Sequence, residues 1–268
     1  MKKFIIIFSF LIVLMFIPIY GRYIEPQLLQ TTYLRVGTGN PQLKVVQISD
    51  VHLSQYYTEK DLKRAVDKIN HQHPDIVVFT GDLFDNYAQY TGDVNHVIDL
   101  LSEIKGSIGK YAVWGNHDYG GGAARSYKTV MEEAGFHIFK NDGITLTLAD
   151  KKIFIGGLDD GLLGNPSIKN MLSYREEVDY SLVLAHEPDL ADGLIDTCTQ
   201  LVLSGHSHGE QVKLPINLFK HTLSSKYTGG LYYLNSGTKL YVNRGLGTTH
   251  LPVRFGAIPE ISVFELYF

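Results

Sequence analysis

The chain has 268 residues, 44% of them hydrophobic and 19% charged, which is enough to close one large globular domain around a real core. Lys plus Arg number 24 and Asp plus Glu 28, a formal charge of −4, so no basic stripe suited to nucleic-acid phosphates is evident. Cys198 is the only cysteine, which excludes an internal disulfide and a thiolate zinc cage, and it is expected to be a buried, inert thiol.

The N-terminus, MKKFIIIFSFLIVLMFIPIYGR, sets two lysines before an apolar run from Phe4 to Ile19 broken only by Ser9 and Pro18. Residues 1–22 read as a signal anchor or signal peptide. The run sits at the lower edge of the roughly 17 to 25 residues of a spanning helix, and no A-x-A-like cleavage site follows. An uncleaved anchor is therefore expected, with a cleaved signal as the alternative. Lys2 and Lys3 before the run, against Arg22 after it, favour a cytoplasmic N-terminus. The expected location is the cell membrane, through a single N-terminal pass with the folded domain extracytoplasmic; the alternative is secretion after cleavage.

Residues 23–43 read as a linker or a first short strand, and the folded domain as 44–268. KVVQISD is a buried strand ending at Asp50. Leu62, Ala65, Val66 and Ile69 recur at helical spacing between Thr58 and Gln72, with Thr58 as N-cap. DIVVFTGD is a second buried strand, Val94 to Ile104 a second helix, KYAVWGN a third strand, and Ala123–Ala134 a third helix. This alternation predicts an α/β architecture. Beyond Phe136 the strands HIF, ITLTL, KIFIGG, YSLVLAH, QLVLSGH, LYYLNSG, KLYVNRG and ISVFELY follow with fewer helices between them, which predicts a second sheet, partly antiparallel, packed on the first. The glycines of YGGGA lack a following G-K-[ST] and read as a loop rather than a phosphate cradle.

What ends each buried strand is the informative feature. Asp50 and His52 follow the first, Asp82 and Asp85 the second, Asn116, His117 and Asp118 the third; His186 follows YSLVLA, and His206 and His208 follow QLVLSG. In open α/β sheets sites form outside the carboxyl ends of strands, so these groups are placed to converge. Carboxylate, imidazole and amide oxygen without sulfur describe a site for Mn, Fe or Zn. Asp50, His52, Asp82, Asn116, His186, His206 and His208 are too many for one ion and enough for two, with a carboxylate, Asp82, as the natural bridge. His71, His73, His96, His137 and His221 stand away from strand ends and read as surface residues.

DVH, GDLFD, GNHD, AHEPD and GHSH, in that order, resemble the motifs of the calcineurin-like metallophosphoesterases, and the resemblance covers nearly all of residues 44–268. The ending VNRGLGTTHLPVRFGAIPEI, with the apolar N-terminus, resembles the bacterial membrane-associated phosphodiesterase branch. The sequence departs from that branch in GHSHGEQ, where G-H-T-H-G-G-Q is usual, without losing a ligand. The resemblance implies a four-layer α/β/β/α sandwich of two mixed sheets flanked by helices, and two divalent metal ions. It implies one metal on Asp50, His52, Asp82 and His208, and a second on Asp82, Asn116, His186 and His206. It implies His117 as the catalytic histidine, oriented by Asp85 or Asp118.

The expected activity is binuclear metal-dependent hydrolysis of phosphodiester or pyrophosphate bonds, with a water activated between the metals and His117 as general acid. Arg244 and Arg254 are candidates for holding a substrate phosphate, because guanidinium suits that geometry. An anchored site near a bilayer favours a lipid-linked or cell-envelope phosphoester. The alternatives are a phosphodiesterase on soluble nucleotides and a noncatalytic metal-binding envelope protein. A metallohydrolase of amides or lactams would carry H-x-H-x-D-H on one loop, which is missing.

Overall fold

A computed structural model of the chain describes residues 16–38, 42–213, 224–235 and 237–268. Most of the predicted anchor and His221 lie outside these residues; among those described, no helix is long and apolar enough to cross a membrane.

The apolar strands assemble into two six-stranded sheets. The first has the order β1 (Gln30–Val36), β12 (Glu260–Leu266), β2 (Leu43–Ile48), β3 (Ile76–Phe79), β4 (Gly109–Ala112), β5 (His137–Ile138). Only the β12–β2 pair in it is antiparallel. The second runs β10 (Gly230–Tyr233), β11 (Lys239–Val242), β9 (Leu201–Ser204), β8 (Tyr180–Leu184), β7 (Lys151–Gly157), β6 (Asp142–Leu148), with antiparallel pairs at its two edges. The segment expected to be a linker or a short strand thus carries β1, which pairs along its length with β12.

Strand residues alternate between two cores, as the period of two requires. Val45, Val78 and Phe264 face Ile155, Leu182, Leu184 and Leu203 of the other sheet. Val46, Val77 and Phe79 face outward onto helices α1 (Glu59–Asn70), α2 (Val94–Ser102) and α4 (Tyr127–Glu133), α3 being the short turn Asn116–Tyr119. On α1, Leu62, Ala65, Val66 and Ile69 are wholly buried, and each larger side chain among them contributes roughly 1.5–3 kcal/mol. Thr58 starts that helix, donating its N–H and Oγ–H to Asp61, both at 3.0 Å. The outer face of the second sheet is covered by α5 (Ile168–Leu172) and a 3-10 turn at Pro188–Leu194, through Met171, Ala191 and Leu194. Four layers result, the fourth thin.

β2, β3 and β4 are parallel, as are β8 and β9, so their carboxyl ends gather along one rim. Gln47, wholly buried, ties the sheets together there by donating to Thr80 Oγ1 at 3.0 Å and to the Ser204 carbonyl at 2.9 Å. The loop after β11 closes over the same rim: the N–H of Gly247 donates to the Asp50 carbonyl at 2.8 Å. The residues leading into β1 dock on this loop. The Glu25 carboxylate accepts from the N–H groups of Gly256 and Ala257, and the Gly21 carbonyl from that of Arg254.

Candidate metal centre

Each strand passes its last buried residue and turns sharply into the rim. Asp50, His52, Asp82, His206 and His208 all take left-handed backbone, with φ of 48°, 46°, 65°, 68° and 52°. Side-chain-bearing residues in that region store strain, which persists where the surroundings over-determine it and concentrates at functional sites. Gly205 is needed for closeness: a Cβ there would stand 1.9 Å from Ser49 Oγ and 2.3 Å from Asp50 Oδ2.

All seven candidate ligands meet. On one side, His208 Nε2 lies 3.0 Å from His52 Nε2 and 3.5 Å from Asp50 Oδ1, while His52 Nε2 lies 3.4 Å from Asp82 Oδ2. On the other, His186 Nε2 lies 3.2 Å from the same Asp82 oxygen and 3.2 Å from Asn116 Oδ1, and His206 Nδ1 lies 3.0 Å from Asn116 Oδ1. Asp82 is common to both sets, and Asp50, His52, Asp82, His186 and His208 are buried.

The donor set suits cations. His186 Nδ1 faces the Thr80 carbonyl at 2.6 Å and therefore carries a ring proton, so Nε2 is the ring atom turned to the two oxygens. On the other side, His52 Nδ1 is 3.3 Å from Asp85 Oδ1, which leaves its Nε2 lone pair facing Asp82 and the second imidazole. Two groups that each turn imidazole nitrogens and carboxylate or amide oxygens towards one point are stabilised by positive charge. The titration behaviour points the same way. Burial pushes the Asp50 carboxyl up, whereas Asp82 is held well below its usual range by His186, against burial. His186 is raised well above the ordinary imidazole range, the Asp82 carboxylate outweighing desolvation.

The neighbours of these ligands fix their direction. Asp85 turns one carboxylate oxygen to His52 and receives a hydrogen bond from Thr249 Oγ1 at 3.1 Å. Gln211 in turn clamps Thr249: its Oε1 accepts from the Thr249 N–H at 3.0 Å and its Nε2 donates to the Thr249 and Leu251 carbonyls. His117 stands at the margin, its ring edge-on to His52 with centroids 4.6 Å apart and its Nδ1 2.6 Å from the Asp85 carbonyl. Burial would lower its pKa, but the Asp82 charge and that carbonyl raise it.

Several sequence expectations need correction. Asp118 does not touch the His117 ring. Its carboxylate accepts from the N–H groups of Asp82, Leu83 and Gly115 and so caps the two turns that carry Asp82 and Asn116. Burial, with the Asp82 charge beside it, pushes this carboxyl up to about 7. Of the two orienting candidates it is Asp85 that meets His117, through its backbone carbonyl, with the carboxylate 4.0 Å away. Arg254, a candidate phosphate ligand, is wholly buried and spends its guanidinium on the Gly247 and Ala257 carbonyls. Arg244 is half-buried beside the site, where its Cγ would meet a Cβ at Gly209, and it pairs with the buried Glu260 at 2.5 Å. Cys198 is exposed rather than buried. His71, His73, His96 and His137 are exposed, as expected.

The sequence reading missed Thr249, Gln211 and Glu187. Nothing local marks Thr249, which reaches Asp85 across 164 positions. Gln211 lies within the quoted GHSHGEQ, and its polar side chain beside two ligands was the available signal. Glu187, next to His186, is wholly buried, and burial with its bond to Asp160 pushes its carboxyl up to about 9.

Comparison with known proteins gives this geometry a family. The model of the calcineurin-like phosphoesterase family matches residues 43–210. The uncharacterized metallophosphoesterase YkuE of Bacillus subtilis is 44% identical, over 92% of this chain and 88% of its own length. The UDP-2,3-diacylglucosamine pyrophosphatase LpxG of Chlamydia muridarum is 26% identical, over 92% of each chain. Among solved structures, a dimetal phosphatase from Danio rerio aligns with a TM-score of 0.49 at 13% identity, over 85% of this chain and 94% of that one. The family match and the identity to YkuE together show that the chain belongs to the calcineurin-like phosphoesterase family, hydrolases acting on phosphoester bonds.

Proposed function

We propose that the protein is a binuclear phosphohydrolase of phosphodiester or pyrophosphate bonds, acting on a lipid-linked or cell-envelope substrate from a membrane-anchored position. The observation that carries the chemistry is the pair of acceptor sets sharing Asp82. Asp50, His52, Asp82 and His208 would hold one divalent ion, and Asp82, Asn116, His186 and His206 the other. When bound, two such ions neutralise phosphoryl oxygens and acidify a water at the site. Mn, Fe and Zn all suit imidazole, carboxylate and amide oxygen.

His117 supplies the remaining piece. Its Nδ1 is held by the Asp85 carbonyl, so its Nε2 is the atom left to carry a proton to the leaving oxygen. The ring is one-fifth exposed, open enough to meet a substrate while its edge rests on His52.

The lipid-linked substrate and the anchor are supported by the apolar run at residues 4–19 and by the likeness to a relative whose name records a diacylated sugar-nucleotide substrate. Phe16, Ile19, Tyr23 and Ile24, where that run enters the fold, are exposed, as residues at a bilayer interface would be. The test is the full chain in detergent, stripped of metal and reloaded with Mn²⁺, assayed in parallel on a monoester, a diester and a lipid pyrophosphate. Preference for the lipid pyrophosphate supports the reading, and preference for the soluble monoester sinks it. His117→Ala should retain two metals per chain yet lose 10²-fold or more in kcat on a poor leaving group, about the worth of a general acid. Unchanged turnover would remove His117 from that role.

A further inference from the structure

Beside the metal centre lies a cavity of about 440 Å³ whose wall includes Asp85, the residue that touches both His52 and His117. Its other walls come from the loop before α1 and the turn after β3: Gln55, Tyr56 and Glu59 on one side, Asn86, Gln89 and Tyr90 on the other. Among the described residues that line it, none is a lysine or an arginine.

The chemistry of these walls is specific. The two carboxylates are already engaged, Glu59 by Tyr90 Oη at 2.6 Å and the Asp93 N–H at 3.1 Å, Asp85 by Thr249 and His52. What stands ready for a ligand is neutral, the side-chain amides of Gln55 and Gln89, while the half-exposed Tyr56 ring already carries the Arg22 guanidinium 4.8 Å from its centroid. An amide offers donors and an acceptor together, as a hydroxyl does, so amides pair with hydroxyl groups in either sense. The lining itself holds two carboxylates and no cation, which disfavours a second phosphate there.

The geometry points to this cavity as a subsite for an uncharged, hydroxyl-rich group, a sugar, esterified to the phosphate held at the metal centre. The inference rests on the phosphohydrolase reading and adds to it the class of the esterified alcohol. A sugar on a lipid phosphate and a sugar on a soluble phosphate share this chemistry.

The test uses Mn²⁺-loaded full chain hydrolysing bis(p-nitrophenyl) phosphate, inhibited in turn by methyl phosphate, glucose 1-phosphate and phosphocholine. Methyl phosphate reports on the metals alone. Glucose 1-phosphate should inhibit at a concentration at least tenfold lower, and the double variant Gln55→Leu, Gln89→Leu should bring the two inhibition constants together. The dodecyl ester of glucose 1-phosphate separates the sources: tighter inhibition than the free sugar phosphate keeps the subsite and marks a lipid-linked sugar, and equal inhibition keeps it and marks a soluble one. Equal inhibition by all three small phosphates, phosphocholine the strongest, or an unchanged ratio in the double variant overturns the sugar subsite. No hydrolysis of the diester with Mn²⁺, Fe²⁺ or Zn²⁺ overturns the phosphohydrolase reading itself, and this inference with it.

Discussion

Replacing Thr249 by Val removes one hydroxyl and keeps the shape of the side chain. That hydroxyl donates to Asp85 Oδ1 at 3.1 Å, and the same oxygen stands 3.3 Å from His52 Nδ1. A hydrogen bond to a charged group contributes about 1.5–3 kcal/mol, and because Asp85 is one-third exposed the lower end applies. About 1.4 kcal/mol is tenfold in affinity, so the ion beside His52 should bind roughly tenfold more weakly, within the 10–100-fold that supporting carboxylate contacts are worth elsewhere. The backbone should stay in place, because Gln211 grips Thr249 by its N–H and carbonyl. Mn²⁺ titration of the metal-free chain by calorimetry should then show one weakened and one unaltered site, with Thr249→Ser restoring the first. Equal weakening of both sites, no weakening, or failure of serine to rescue would refute the positioning of His52 through Asp85.

Gly205→Ala places a Cβ within 2.3 Å of Asp50 Oδ2, so the carboxylate must leave the His206 N–H it now accepts at 3.0 Å. Metal affinity should fall at least tenfold and stability in urea by about 1–3 kcal/mol, and full metal occupancy would count against the close approach. Glu187→Gln should alter the pH dependence of stability in the metal-free chain. The wild-type carboxyl is raised from 4.5 to about 9 in the folded state, so between those values folding takes up a proton and stability is lost as pH rises, by up to about 1.4 kcal/mol per unit. The glutamine variant lacks that loss, so its advantage in urea midpoint should grow from pH 5 to pH 8; a flat difference would exclude a protonated Glu187.

The strands, their order of polar endings and the convergence of Asp50, His52, Asp82, Asn116, His186, His206 and His208 were legible in the amino-acid sequence. Apolar runs with period two bury themselves, and parallel neighbours bring their ends together, so a motif at each strand end marks one place in space. The direction of each supporting side chain was not legible, because it depends on loops that meet only after folding. Asp118 and Asp85 look alike in the sequence, yet one faces three backbone N–H groups and the other an imidazole. Arg254 has the chemistry of a phosphate ligand, and the loop that wraps its guanidinium in two carbonyls takes it out of reach of substrate. Local pattern determined which residues carry the chemistry; the nonlocal contacts of Thr249, Gln211 and Arg254 decided what holds them in place, since a hydrogen bond across 164 positions leaves no trace in periodicity.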